Sequence, residues 1–99
     1  MYTFNRTEEF DDWLRGLADL VGRAKILARI RRAESGNFGD CEPVGDGVSE
    51  MRIDYGPGYR AYFAQEGCVV YLLLCGGNKS TQKTDIRRAK ALWNACKGA

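Results

Sequence analysis

The sequence predicts a small α+β domain in the order β-α-α-β-β-β-α, with a mainly antiparallel sheet and helices packed on one face. Three observations lead there. Val48–Phe63 alternates apolar and polar residues on both sides of Gly56-Pro57-Gly58, the signature of a β-hairpin. Phe10, Trp13, Leu14 and Leu17 recur at helical spacing, and so do Ile26, Leu27, Ile30 and Ala33. Cys68–Cys75 is apolar at nearly every position, as suits a central strand covered on both faces. The 99 residues are enough for one domain, 1–99, that buries a modest core without staples.

In chain order, Tyr2-Thr3-Phe4 alternates and is expected to form a short first strand. Thr7 is placed to cap a helix whose first turn carries Glu8 and Glu9, favourable at the positive end of the helix dipole. Asp19 is placed to cap a second helix reaching about Ser35, with Gly36 just beyond its end. Asn37–Asp46 is rich in turn residues and reads as a loop returning the chain to the sheet.

Taking Gly56-Pro57-Gly58 as the hairpin loop sets Tyr55 opposite Tyr59, Asp54 opposite Arg60, Arg52 opposite Tyr62 and Met51 opposite Phe63. Met51, Ile53, Tyr55, Tyr59, Ala61 and Phe63 then share an apolar face, and Glu50, Arg52, Asp54, Arg60 and Tyr62 share a charged one. A second hairpin turning at Glu66-Gly67 sets Tyr62 opposite Tyr71 and brings Tyr71 to the charged face. Gly76-Gly77-Asn78-Lys79 ends the last strand and places an amine at its exit. Ser80 or Thr81 then caps a final helix with Ile86, Ala89, Trp93 and Cys96 as its inner stripe.

Charge is uneven along the chain. The net charge is only +2, yet residues 8–19 hold five acids against one arginine and residues 23–32 hold five basic residues and no acid. The basic helix face, Arg23, Lys25, Arg29, Arg31 and Arg32, reads either as solvated surface, as a phosphate-tracking surface, or as a landing site for an acidic partner. Cys41, Cys68, Cys75 and Cys96 show no CxxC spacing and the chain has no histidine, so neither a zinc site nor another cofactor is expected. No apolar run approaches about 20 residues and no signal-peptide pattern is present, so a cytoplasmic protein without a membrane segment is expected.

The segments Glu50-Met51-Arg52-Ile53, Gly56-Pro57-Gly58-Tyr59-Arg60 and Leu73-Leu74-Cys75-Gly76-Gly77-Asn78-Lys79-Ser80-Thr81-Gln82, with Asp85-Ile86 beyond, resemble the addiction-module killer proteins. These are HigB-like members of the RelE/ParE toxin superfamily. The resemblance runs from Phe4 to Trp93 and includes Gly36-Asn37-Phe38-Gly39-Asp40. It implies a RelE-like domain acting as the toxin of a type II toxin–antitoxin pair. Its implied partners are a cognate antitoxin, a small DNA-binding protein encoded beside it, together with the ribosome and mRNA. Ribosome-dependent mRNA cleavage is typical of the RelE and HigB branches, whereas the ParE branch poisons DNA gyrase. A non-catalytic domain that only binds its antitoxin is the third reading.

Metal-free RNA cleavage requires removal of a 2′-hydroxyl proton, stabilisation of the phosphorane and protonation of the leaving 5′-oxygen. RelE-type sites use basic residues on the sheet, which points to Arg52 and Arg60 as phosphate clamps and Lys79 as a third cation. Glu50 and Tyr62 are the acid–base candidates on the same face. Arg23, Lys25, Arg29, Arg32 and Tyr71 are the candidates for wider RNA contact. Without that resemblance, the hairpin charges read equally as ordinary cross-strand neighbours.

Overall fold

The computed structural model describes residues 1–98. Its elements are β1 (Thr3–Arg6), α1 (Glu8–Gly16), α2 (Leu20–Glu34), β2 (Cys41–Gly45), β3 (Val48–Ile53), β4 (Tyr59–Gln65), β5 (Val70–Gly77) and α3 (Gln82–Lys97), with a 3-10 turn at Lys79–Thr81 before the last helix. One five-stranded sheet runs in the order β1-β5-β4-β3-β2. Among the described residues only the β1–β5 pairing is parallel. The expected α+β class with a mainly antiparallel sheet is therefore the fold of the chain.

The first two helix starts follow the expected chemistry, whereas ahead of the last helix it is Asn78, and not Ser80 or Thr81, whose side chain caps, accepting from the Ser80 amide at 2.9 Å. The Thr7 side chain accepts from the Phe10 amide at 3.0 Å and Asp19 accepts from the Gly22 amide at 2.9 Å, each satisfying an amide that has no partner inside its helix. Gly36 has φ +101°, the left-handed conformation that ends a helix at least cost in glycine. Phe10 and Leu14 from α1, and Ile26, Ile30 and Ala33 from α2, are buried against Met51, Ile53, Tyr59, Ala61, Phe63 and Leu73. A second cluster joins Val48, Tyr62, Ala64, Leu72, Leu74 and Cys75 to Ala89 of α3, with Ile86, Leu92 and Trp93 packed around it. β3 and β4 alternate between the two clusters, so α1 and α2 lie together on one side and α3 packs against the reverse, where the sequence reading expected all helices on one face.

Gly76 and Gly77 make this layering possible. A Cβ on Gly76 would overlap the Trp13 ring of α1, and one on Gly77 would overlap the Asp85 carboxylate of α3. Neighbouring residues of a strand point to opposite faces, so the two glycines let both helices close on the same stretch of β5.

Four further expectations are corrected. The first hairpin pairs Ile53 with Tyr59, Arg52 with Arg60, Met51 with Ala61 and Glu50 with Tyr62, two residues away from the expected register. Gly56 at φ +56° and Gly58 at φ +76° make a wider loop over residues 54–58 than three residues allow. A shift of two preserves every face, so the charged and apolar sets survive, but the Asp54–Arg60 and Arg52–Tyr62 pairs do not form.

The second hairpin is displaced further. Tyr62 pairs with Cys75 and Phe63 with Leu73, leaving Leu74 as an extra residue on β5. The resulting odd offset turns Tyr71 to the side opposite Tyr62. There Tyr71 stacks on Phe4 at 5.1 Å and meets Phe38 and Phe63 edge-on. In the segment read as a loop, Cys41–Gly45 forms the edge strand β2, antiparallel to β3, with Pro43 confined to the edge where its missing N–H is tolerated. Cys96, expected on the inner stripe of the last helix, is exposed.

Candidate functional site

The charged face of β3 and β4 is organised by Glu50. Its side chain is fully buried, 0% exposed, on β3, an interior strand of the sheet. A lone carboxylate there is costly, and it persists because each oxygen is matched by two donors. Oε1 accepts from Arg52 Nε at 2.9 Å and from Arg60 at 3.1 Å; Oε2 accepts from the Tyr62 hydroxyl at 3.0 Å and from Gln82 Nε2 at 2.9 Å. β3 supplies Glu50 and Arg52, β4 supplies Arg60 and Tyr62, and the first residue of α3 supplies Gln82.

These contacts fix the protonation states. Burial works to raise the Glu50 pKa, but the hydrogen bonds from Gln82, Arg52 and Tyr62 and the charge on Arg60 outweigh it, leaving the carboxyl below its ordinary range. Burial first, then the hydrogen bond to Glu50 and its charge, push the Tyr62 phenol well above its ordinary value. Glu50 thus stays ionised with its lone pairs occupied, and Tyr62 stays protonated and enclosed. The two acid–base candidates of the sequence form the floor beneath the arginines.

The arginines differ in how they are held. Arg52 is bound to Glu50, to Glu42 at 2.9 Å and to Asp40 at 3.9 Å, with a third of its side chain exposed. Arg60 is only 12% exposed and pairs with Glu50 alone among the described residues. Lys79, in the 3-10 turn after β5, is exposed and has no ion-pair partner among the described residues. Its amide donates to the Pro57 carbonyl at 3.3 Å, tying the strand exit to the hairpin loop. Arg52, Arg60 and Lys79 line one open cleft of about 430 Å³ together with Asp40 and Asp54. The three predicted cations are therefore brought together.

A second groove of about 400 Å³ continues from this cleft, sharing Asp40, Ile53 and Asp54 with it and lined on its far side by Lys25, Ala28, Arg29 and Arg32 of α2. The five predicted RNA contacts divide here. Lys25 and Arg32 border the groove, with the Lys25 ammonium 5.3 Å from the centre of the Tyr55 ring. Arg29 points inward and donates to the backbone carbonyls of Arg52, Phe38 and Asp40. Arg23 closes the α1–α2 link by donating to the carbonyls of Arg15 and Leu17. Tyr71 lies in the aromatic cluster on the other side of the sheet, away from the cleft.

Gln82 and the acidic pair Asp40 and Glu42 escaped sequence reasoning. Gln82 stands in the motif after Lys79, where it reads as a residue of a first helical turn, and only the approach of α3 to β3 reveals its carboxylate partner. Glu42 sits on β2, in the stretch misread as a loop, and Asp40 in the loop just before it. No group of His, Cys, Asp and Glu among the described residues is arranged to hold a metal ion, and no described helix is long and apolar enough to cross a membrane.

Two comparisons bear on this arrangement. The family described as "Phage derived protein Gp49-like (DUF891)" matches residues 12–93, which include the whole charged face and the cleft. An uncharacterized protein of Haemophilus influenzae is 54% identical over 86 residues, 87% of this chain and 87% of that one.

Proposed function

Because the chain belongs to the Gp49-like family of phage-derived proteins, a toxin-like family of the RelE/HigB type, we propose that it is the toxin of a type II toxin–antitoxin pair and cleaves mRNA on the ribosome. The supporting observation is the convergence of Arg60, Arg52 and Lys79 on one open cleft. A phosphodiester seated there meets three cations, the arrangement that offsets the charge gained by a pentavalent phosphorane.

The reaction is transesterification. The 2′-oxygen forms a bond to phosphorus as the bond to the 5′-oxygen breaks, leaving a 2′,3′-cyclic phosphate and a free 5′-hydroxyl. Arg60 and Arg52 hold the non-bridging oxygens, with Glu50 setting the pitch of both guanidinium groups. The Lys79 ammonium is the donor for the leaving 5′-oxygen. Asp54 also lines the cleft, has no ion-pair partner among the described residues, and is the acceptor for the 2′-proton. Lys25 and Arg32 extend the positive surface for the neighbouring nucleotides.

Primer extension on a translated reporter mRNA after brief induction tests this, beside a Lys79→Ala control. Lys79 is preferable to Arg60 as a control because its removal leaves the buried Glu50 fully paired. New 5′ ends inside codons, absent in the control, are the expected result. Growth arrest with intact mRNA overturns the nuclease reading and turns attention to gyrase.

A further inference from the structure

α2 has two uses for its surface and only one is consumed by the fold. At about 100° per residue, Gly22, Ile26, Ile30 and Ala33 fall within an arc of roughly 80°, and all four are buried. Leu20, Ala24, Ala28, Arg31 and Ser35 occupy a second arc of roughly 80° on the opposite side. Among the described residues that second arc is left open: Leu20, Ala24, Arg31 and Ser35 are exposed and Ala28 is half-buried. Leu20 is 70% exposed and Val21 beside it 54%, two neighbouring aliphatic side chains left in water. At the other end Arg31 and Arg32 have no carboxylate partner among the described residues. They wall an open hollow of about 590 Å³ with Ala28, Ser35 and Asn37.

The hollow has no lining residue in common with the cleft of Arg52, Arg60 and Lys79, and it shares only Ala28 and Arg32 with the groove that continues from that cleft. We propose that the outer face of α2, from Leu20 to Arg31, docks an acidic amphipathic helix of the antitoxin; this rests on the toxin–antitoxin reading above. Leu20, Val21 and Ala24 take the apolar stripe of that helix, Ala28 lets the backbones approach, and Arg31 meets its carboxylates. The span from Leu20 to Arg31 is about 16 Å at 1.5 Å per residue, the length of three helical turns. Exposed aliphatic side chains favour a protein over RNA here. RNA single strands are held by phosphate charge and by stacking on aromatic rings, and this arc of α2 carries no aromatic residue.

The arrangement separates docking from the chemistry: a helix seated on the outer face leaves the cleft open. Calorimetric titration of the intact protein with the antitoxin encoded beside it tests this, using Leu20→Asp, Arg31→Glu and Lys79→Ala variants. Circular dichroism establishes that each variant is folded. The expected result is at least tenfold weaker antitoxin binding for Leu20→Asp and Arg31→Glu, with Lys79→Ala within twofold of the unaltered chain. Undiminished binding by both α2 variants overturns the docking surface and leaves the toxin reading standing. No binding of the antitoxin by the unaltered chain overturns both. If the two α2 variants lose affinity for a single-stranded RNA oligonucleotide and keep it for the antitoxin, the face is an RNA path and the proposal fails.

Discussion

Glu50 and Tyr62 stand directly opposite one another on β3 and β4, and the 3.0 Å hydrogen bond between carboxylate and phenol is shut off from solvent on both sides. The carboxylate also anchors Arg52 and Arg60, so its loss strands two cations and two neutral donors together. Glu50→Ala is expected to lower unfolding free energy by about 3–5 kcal/mol, the cost of breaking a buried pair by removing one partner. Urea denaturation followed by tryptophan fluorescence measures it.

The lowered pKa of Glu50 has a pH signature. Unfolded, the group titrates near about 4.3. The depressed value in the fold means that its stabilising contribution is complete above that pH and is lost as pH falls through the folded value. The difference in stability between the unaltered chain and Glu50→Gln is therefore expected to shrink on acidification below about pH 5. Parallel denaturation series from pH 7 to pH 3 check it; a constant difference contradicts the assignment.

Tyr62→Phe removes one of the two donors to Glu50 Oε2 and keeps the ring in the core. The expected cost is about 1–3 kcal/mol for leaving a buried acceptor short of a partner. Under the proposed mechanism, cleavage by the folded variant is expected to be close to that of the unaltered chain, because an enclosed phenol neither donates to nor stacks on RNA. Denaturation and primer extension on the same preparation separate the two effects.

Lys79→Ala is the converse case. The side chain is exposed and unpaired among the described residues, so stability is expected to stay within about 0.5 kcal/mol. Under the proposed mechanism the cleavage rate falls by about 10²–10⁴, the usual contribution of a positioned proton donor. Single-turnover cleavage on purified translating ribosomes gives the number, and an unchanged rate removes Lys79 from the site.

Gly77→Ala tests the layering of the sheet. Its methyl group would enter the space held by the Asp85 carboxylate, which also accepts from Thr81 and Arg88. Displacing a buried group from a packed site is expected to cost about 1–3 kcal/mol. A thermal melt shows the loss, and an unchanged midpoint would mean that α3 shifts without penalty.

Much of this architecture was legible because some patterns tolerate error. The charged and apolar faces of the first hairpin were correct although its register was off by two, since parity survives an even shift. Thr7 and Asp19 announced two helix starts because capping is local chemistry. β5 offered no such protection. Its run of apolar residues carries no alternation, so nothing in the sequence warned of the extra Leu74, and Tyr71 was assigned to the wrong face. β2 was hidden by Pro43 and Gly45, which read as turn residues wherever they stand. The cations of the cleft were found because arginines on a polar strand face and a lysine at a strand exit are visible one by one. The saturation of Glu50 was not, because three of its four donors arrive from other elements or from the far strand.

Arg29 has a consequence of its own. Its one guanidinium grips the carbonyls of Arg52, Phe38 and Asp40, so a single side chain acts as the keystone for helix, connecting segment and strand. Pieces sharing a keystone come loose together. The Arg52 amide, which donates to the Asp40 carbonyl at 2.9 Å, should therefore exchange its proton with solvent in one cooperative opening, at the pace of whatever frees α2, and not as part of a separately fraying edge.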